Sequence, residues 1–431
     1  MRRLLTAPAL RRLLLLLPFL LLALPAQAAT ADSGDTAWVL TASALVLFMT
    51  LPGLALFYGG LVRARNVLSV LMHCFAICCV VSVLWALVGY GLVFSGGNAL
   101  IGSLDRVLLI GLAAVRDGST LPESVFVLFQ MTFAIITPAL IIGAFPERVS
   151  YGFVLLFSAL WLLVVYVPVA HWVWGDGWAA GLGVLDFAGG IVVHTTAGIS
   201  ALVAACVIGA RKGFPAQLVP PHSPGLTMAG AGMLWVGWFG FNGGSALAAG
   251  DGAGLAILAT HLSASAAAIT WMTIEWLRIG KPTSVGIVTG AVAGLATITP
   301  ASGFVGPGGA MLIGIAAGIV CFAAVLIIKQ RFRIDDSLDV FAVHGVGGML
   351  GSLLVAIFAL PALGGVGLKM GWEEQLGVQA IAVAATAIWS GLATFALIKL
   401  IGLVTDPRVT AEAEYDGLDL ATHGERAYDH T

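Results

Sequence analysis

Two histidines are the first candidates for chemistry in this 431-residue chain, because each lies in an apolar stretch and is followed by small residues. His194 follows Val193, and His344 lies between Val343 and Gly345. Two imidazoles in contact could share one proton, since a neutral ring carries one donor and one acceptor nitrogen. The pair would then form a neutral, directional hydrogen-bonding line in an apolar tube. Two alternatives stay open: unrelated histidines that bond neighbouring carbonyls, and a metal or haem pair, although no further ligands cluster beside them in the sequence.

A group of aromatic residues could attract a small cation. It comprises Phe129, Phe133, Trp172, Trp174, Trp238 and Phe241, and a hydroxyl acceptor, Ser245, follows the last ring. The faces of aromatic rings attract a cation by roughly 0.5–2 kcal/mol. Tryptophans near a membrane surface are more often anchors, and whether these residues converge depends on the fold.

Two aspartates precede the histidine-containing stretches, Asp186 before the first and Asp339 before the second. An aspartate at such a position is a favoured helix N-cap. Its negative charge would also favour a cation nearby, and the two roles are compatible. Asp335 and Asp336 are expected to be loop charges or caps.

The elements that must position these residues are membrane helices. The chain is 59% hydrophobic and 10% charged, whereas soluble domains carry about 25% charged residues. Apolar runs of about twenty residues predict an all-α membrane protein with eleven transmembrane helices. The predicted spans lie near 36–61, 68–94, 122–145, 150–169, 187–209, 226–248, 254–278, 283–300, 305–329, 340–360 and 376–403.

A faint internal repeat relates the two halves of the chain. The segment from Phe57 to Gly60 in the first span is similar to that from Phe241 to Gly244 in the sixth, and the two histidines lie in the fifth and tenth spans. A repeat unit of five helices forces its two copies into opposite orientations, and inverted repeats place a substrate path at their shared interface. The sequence thus predicts inverted repeats at about 36–209 and 226–360, followed by a final helix at 376–403.

The first 28 residues predict a secretory signal peptide. A basic segment precedes an apolar run at 13–24 and the cleavage site Ala26-Gln27-Ala28, although an uncleaved first helix is an alternative. Cleavage would leave a transmembrane domain at 29–404, in a cell inner membrane, and a cytoplasmic tail at 405–431. The mature N-terminus would then be periplasmic and the C-terminus cytoplasmic. Of the twenty lysines and arginines, thirteen fall on the proposed cytoplasmic side, as the positive-inside rule requires. Arg106, Arg116 and Lys369 alone fall in the proposed outer loops.

Several long stretches of the chain resemble the ammonium transporter family (Amt/Mep, related to Rh proteins), and its bacterial Amt members most closely. They are LVLFMTLPGLALFYGGLVRARNVLS from Leu45, FQMTFAIITPALIIGAFPER from Phe129, DFAGGIVVH from Asp186, WFGFNGGSA from Trp238 and DVFAVHGVGG from Asp339. The resemblance covers nearly the whole mature chain. It implies a homotrimer of eleven-helix subunits with one pore in each subunit.

The resemblance also implies roles for single residues. An outer site that recruits ammonium would consist of Phe133, Trp174 and Ser245, with Asp186 in support. Phe133 and Phe241 would gate the pore as a stacked pair of rings. His194 and His344 would be the twin histidines of the pore, and Trp238 would form its lower wall.

The expected function is transport of ammonium and methylammonium: the cation would lose its proton near the gate, and ammonia would cross the apolar pore. The tail sequence EYDGLDLATHGERAY from Glu414 is similar to the tail with which family members bind a nitrogen-regulatory PII protein of the GlnK type, although a solvated tail is the simpler interpretation. No cofactor, metal or nucleic acid is expected. An ammonium sensor with little flux is the alternative, and a membrane enzyme lacks any nucleophile, carboxylate pair or cofactor motif.

Overall fold

The computed structural model describes residues 30–217 and 220–428, so the predicted signal peptide lies outside the described residues. Within the described part, β-pairing is confined to one isolated bridge between Val149 and Arg408. All other regular structure is helical, which confirms the all-α fold class.

Nine helical segments of the described chain are long and apolar enough to span a membrane. They are α1 (Ser33–Leu61), α2 (Ala64–Phe94), α3 (Glu123–Ala144), α4 (Tyr151–Gly181), α5 (Gly190–Ile208), α7 (Asp251–Ile279), α9 (Pro307–Arg331), α10 (Phe341–Phe358) and α11 (Trp372–Ile401). Two further helices, α6 (Pro224–Gly244) and α8 (Ser284–Ile298), lie at the positions of the sixth and eighth predicted spans. A multi-pass membrane protein is therefore confirmed, whereas the count of eleven spans and the inverted repeat stay predictions.

Local signals in the sequence set several helix ends. Asp32 accepts a hydrogen bond from the backbone N–H of Asp35 and caps α1, and Thr283 caps α8 through the N–H of Gly286. Proline opens α6 and α9, where its missing N–H would have no helical partner. Gly280 ends α7 in the left-handed region, with φ of 80°.

The helices around the two histidines pack in a defined pattern. α6 packs along α1, α7 packs against α8 and α9, and α5 and α10 cross each other beside α11. The tail contains α12 (Ala411–Asp416) and a π-helical turn, Asp419–His423. The side of the molecule on which the tail lies is called the tail face below, and the opposite mouth is called the Trp174 face.

Candidate functional site

The two histidines meet in the interior of the molecule. The Nδ1 atoms of His194 and His344 lie 3.3 Å apart, and the ring centroids lie 5.2 Å apart with an interplanar angle of 23°. Both side chains are buried. The Nε2 atom of His194 is also buried and has no hydrogen-bond partner within the described residues, so it is available to a small molecule. No group of three or more metal-ligating side chains exists in the described part of the chain, and the geometry suits a shared hydrogen bond.

Glycines allow the two histidine-containing helices to approach each other closely. A Cβ atom on Gly198 of α5 would lie 2.1 Å from the Cα atom of Gly345 in α10. A Cβ atom on Gly348 would lie 2.6 Å from the Cβ atom of His194. Small residues at such crossings let membrane helices pack backbone against backbone, and here they set the distance between the imidazoles.

A stack of aromatic rings covers the histidine pair. The rings of Phe133 and Phe241 are 4.2 Å apart and nearly parallel, with an interplanar angle of 29°. The ring of Trp238 stacks on His194 at 5.4 Å, and its Nε1 donates a hydrogen bond of 2.9 Å to Thr299 Oγ1. The indole is thereby fixed in orientation with its face along the histidines.

A narrow apolar cavity of about 10 Å³ lies beside the two histidines and is bordered by Trp238 and Phe241. That volume is close to the smallest that holds one water molecule. Apart from His194 and His344, every side chain that lines it is apolar or aromatic, Trp238 and Phe241 among them. The constriction therefore has few groups that could replace the hydration shell of an ion.

Wider cavities open on either side of this constriction. The cavity at the Trp174 face has about 210 Å³ and is lined by Phe133, Trp174 and Ser245 among others. The cavity at the tail face has about 390 Å³, and His344 lines its inner end. Phe133 and Phe241 thus separate one vestibule from the histidine pair, which leads to the other.

The three side chains predicted for cation recruitment come together at the Trp174 face. The ring of Phe133 meets the ring of Trp174 edge to face, at 5.8 Å and 89°. Ser245 Oγ donates a hydrogen bond of 2.9 Å to the carbonyl oxygen of Phe241, so its lone pairs remain free to accept one. The serine, the indole and the phenyl ring therefore present an acceptor and two aromatic surfaces to one cavity.

Asp186 lies next to these vestibule residues and caps α5. Its carboxylate accepts four backbone N–H bonds from residues 189–192, at 2.6 to 3.0 Å. Its backbone carbonyl accepts the Nε1 proton of Trp174 at 2.9 Å. Asp186 thus holds in place both the helix that contains His194 and the tryptophan of the vestibule.

The corresponding expectation for Asp339 is wrong, because the cap of α10 is Asp336. The Asp336 carboxylate accepts the N–H groups of Val340 and Phe341 at 3.1 and 2.8 Å. Asp339 instead forms a salt bridge of 2.8 Å with Lys329. Neighbouring aspartates in a short loop cannot be ranked as caps from the sequence, since the backbone path decides which one faces the free N–H groups.

The tail packs on the tail face. Asp419 accepts the N–H groups of Leu68 and Ser69, at 3.1 and 2.8 Å, and so caps the α-helical part of α2 from outside that helix. Glu414 is buried and accepts bonds from the N–H of Lys212 and from Arg408, each at 2.7 Å. The described tail is therefore a packed element of the structure, and the alternative of a solvated tail is wrong for Glu414 and Asp419.

Three residues near the site were not predicted from the sequence. Thr299 orients Trp238, and Gln130 and Arg116 line the vestibule at the Trp174 face. Arg116 counted only as an outer-loop charge, because the loop between α2 and α3 has no periodicity that would place its side chain. A single sequence carries no signal that could have found it.

The model of the Ammonium Transporter Family matches residues 37–428 of this chain. The chain is 46% identical over 400 residues to the ammonium transporter of Bacillus subtilis (strain 168), with 92% of this chain and 98% of that protein covered. It is similar in structure to Candida albicans Mep2, with a TM-score of 0.82, 35% identity, and 89% of this chain and 88% of that chain covered. A structure titled "Sensor Amt Protein" matches with a TM-score of 0.85 and 32% identity over 90% of this chain and 98% of that one.

Proposed function

This chain belongs to the Ammonium Transporter Family and its function is ammonium transport across a membrane, for which we propose a mechanism in which neutral ammonia passes His194 and His344. The observation that carries this mechanism is the apolar constriction of about 10 Å³ beside the imidazoles, which Phe241 and Trp238 border. A bare charge in such surroundings is very costly, whereas the neutral amine costs far less. Potassium and sodium cannot lose a proton and are therefore excluded, while ammonium can.

Recruitment would occur at Phe133, Trp174 and Ser245. The faces of the two rings attract the cation by roughly 0.5–2 kcal/mol, and more when water is excluded. The hydroxyl of Ser245 already donates its proton to a backbone carbonyl, so its oxygen faces the ammonium as an acceptor. Asp186 supports the site by holding Trp174 and α5, and its buried negative charge favours a cation in the vestibule.

Passage from the vestibule requires movement of the gate. With ring centroids 4.2 Å apart, Phe133 and Phe241 are in van der Waals contact, and rotation of one ring would open the way. Ammonium would lose its proton to water of the outer vestibule, near these rings. Ammonia then meets the unpartnered Nε2 of His194, passes along the face of Trp238, and takes up a proton in the vestibule at the tail face.

The topology follows from the same proposal. Cleavage after residue 28 would leave the mature N-terminus in the periplasm, the transmembrane domain at 29–404 with its two inverted repeats, and the tail at 405–431 in the cytoplasm. The excess of lysine and arginine on the tail side of the inner membrane supports this orientation. The Trp174 face is then the outer mouth. A homotrimer with one pore in each subunit is part of the proposal.

The proposed function also includes regulation of transport through the C-terminal tail. We expect a PII-family protein of the GlnK type to bind at the tail face, where Tyr415 of the tail is 71% exposed. Glu414 connects the tail to Lys212, which lines the cytoplasmic vestibule, and Asp419 connects it to the start of the α-helical part of α2. A partner bound there could therefore block the exit of the pore. A sensor with little flux is the second candidate function, and the likeness to a structure titled "Sensor Amt Protein" favours keeping it.

Flux measurements separate these functions. Proteoliposomes that contain the full-length protein are expected to take up labelled methylammonium and to give a response to ammonium but none to potassium. Recording the current at several pH values tells whether the proton crosses with ammonia. Protein that is folded in the membrane but gives no uptake would favour the sensor, and metal bound to the purified protein would favour an enzyme.

A further inference from the structure

A positively charged side chain lines the vestibule in which the cation is proposed to bind. Arg116, from the loop between α2 and α3, borders the same cavity of about 210 Å³ as Phe133, Trp174 and Ser245. An arginine at this position is unexpected, because it repels the cation that the aromatic rings attract. The arrangement calls for a physical explanation.

Arg116 is held against the aromatic wall. Its guanidinium carbon lies 4.0 Å from the centroid of the Phe126 ring and 6.0 Å from that of Phe94. Its backbone N–H donates a bond of 2.9 Å to the carbonyl of Leu121, which anchors the loop. The arginine therefore already occupies the face of Phe126, an aromatic surface of the vestibule at which a cation would otherwise be attracted.

The charge of Arg116 is not neutralised by a salt bridge. None of the ion pairs in the described part of the chain includes this residue. The other arginine of the same loop, Arg106, differs in this respect, because it lies 3.6 Å from the carboxylate of Glu123. Since Arg116 is half-buried, water screens its charge only in part.

We propose that Arg116 sets the affinity of the outer vestibule for ammonium. It covers the ring of Phe126, while the site at Phe133, Trp174 and Ser245 stays open to the substrate. Its positive charge weakens the binding of ammonium at that site. A weakly held cation leaves the site readily toward the gate, and the vestibule does not fill with potassium or sodium. The inference rests on the proposed recruitment site, and adds to it a residue that sets the affinity of that site for cations.

The test is the concentration dependence of methylammonium uptake into cells that lack other ammonium transporters, where added substrate reaches only the outer mouth. Arg116→Gln removes the charge, and Arg116→Met removes it while an apolar stem can still pack on Phe126. We expect the KM of both variants to fall by about three- to tenfold at low ionic strength, with the maximal rate little changed. Inhibition of uptake by potassium should become stronger.

Ionic strength and a conservative variant separate charge from structure. The ratio of wild-type to R116Q KM should approach one as N-methylglucamine chloride is raised to about 0.3 M, since the screening length falls below 10 Å. Arg116→Lys keeps the charge and should restore a KM above that of the neutral variants. Lys369→Gln removes an exposed charge of another outer loop and serves as the matched control, with an unchanged KM.

The possible results either support or overturn the inference. A KM that stays the same or rises in both R116Q and R116M, in cells where the wild type transports, overturns it. Loss of uptake in both neutral variants while R116K is active also overturns it, because the role would then be structural. Absence of uptake by the wild type itself, with the protein present in the membrane, contradicts the proposed transport mechanism instead.

Discussion

His194 and His344 meet through like atoms, with their Nδ1 nitrogens 3.3 Å apart, and each residue lies in a π-helical turn, Gly190–Thr195 and Phe341–Gly345. Two like nitrogens form a hydrogen bond only when one carries a proton and the other does not. The hydrogen bond can therefore run in either of two directions, from His194 to His344 or from His344 to His194, depending on which Nδ1 carries the proton. π-Helical turns are rare and are frequent at functional sites, and here they occur at matching positions of two helices.

The first prediction concerns this shared hydrogen bond. His194→Ala or His344→Ala leaves the remaining Nδ1 buried without its partner and removes the polar line from the constriction. We expect the current evoked by ammonium to fall by about a hundredfold or more in each variant, the magnitude of a lost proton-transfer group. Currents recorded on sealed membranes in ammonium and in potassium provide the measurement.

His261→Ala is the control for that experiment, because His261 is an exposed histidine of α7 that packs beside Trp235. It should leave the ammonium current near the wild-type level. If both pore variants kept the wild-type current and excluded potassium as before, the proposed role of the histidine pair would be wrong.

The second prediction concerns the crossing of α5 and α10. A methyl group at position 198 would lie 2.1 Å from the Cα atom of Gly345, so Gly198→Ala forces the helices apart and separates the imidazoles. We expect a loss of about 1–3 kcal/mol in stability, as for other overpacked interiors, together with a loss of uptake. Thermal unfolding of the detergent-solubilised protein measures the first effect, and methylammonium uptake the second.

Gly377→Ala is the matched substitution, since a methyl group on Gly377 of α11 meets nothing within 4 Å. It should leave both quantities unchanged or raise stability slightly. Equal behaviour of the two variants would mean that the close approach of α5 and α10 is not required for transport.

The third prediction is a dependence of stability on pH. Burial, and after it the neighbouring Asp339, raise the pKa of Asp336 to about 7, although Lys329 and two backbone N–H donors lower it. The same carboxyl has an ordinary pKa of 3.8, so the native state favours its protonated form. The stability that the native state gains from this raised pKa is complete below pH 3.8. It is lost as the pH rises through about 7.

Asp336→Asn removes this titration. The amide can accept only through its oxygen, so the variant loses a roughly constant amount of stability from the cap of α10. The measurement is therefore the slope of Tm against pH. Between pH 5 and 8, the Tm of the wild type should fall relative to that of D336N. Asp117→Asn, an exposed loop variant, should run parallel to the wild type. Parallel curves for D336N as well would refute the raised pKa.

The fourth prediction concerns the attachment of the tail. Asp419→Ala removes the acceptor for the N–H groups of Leu68 and Ser69. Loss of such a cap costs about 0.5–2 kcal/mol, so the tail should open more often and be cut several times faster by a protease at the tail face. Digestion of inside-out membrane vesicles, followed by mass spectrometry, measures the rate.

Glu412→Ala is the control, because Glu412 is an exposed acidic residue on the same tail. Its digestion rate should match that of the wild type. The attachment has no energetic role if D419A is cut no faster than this control.

The fold class and the family could both be predicted from the sequence alone. Long apolar runs predict membrane helices because a polar backbone in lipid must satisfy its own hydrogen bonds, and this is a local property of each segment. Helices lie at all eleven predicted positions, although nine of them have the length and hydropathy of membrane spans. The family was evident from contiguous motifs such as FQMTFAIITPALIIGAFPER, and the comparisons confirm it.

Which side chains meet could not be predicted from the sequence and depends on how the helices pack. His194 and His344 are 150 positions apart, and their contact depends on the glycines that let α5 and α10 cross. The choice of Asp336 over Asp339 as a cap depends on the path of a short loop, and the presence of Arg116 in the vestibule depends on how another loop folds over Phe126. Such contacts are set by packing between segments that are distant in the chain. Local hydrophobic patterns carry no information about that packing.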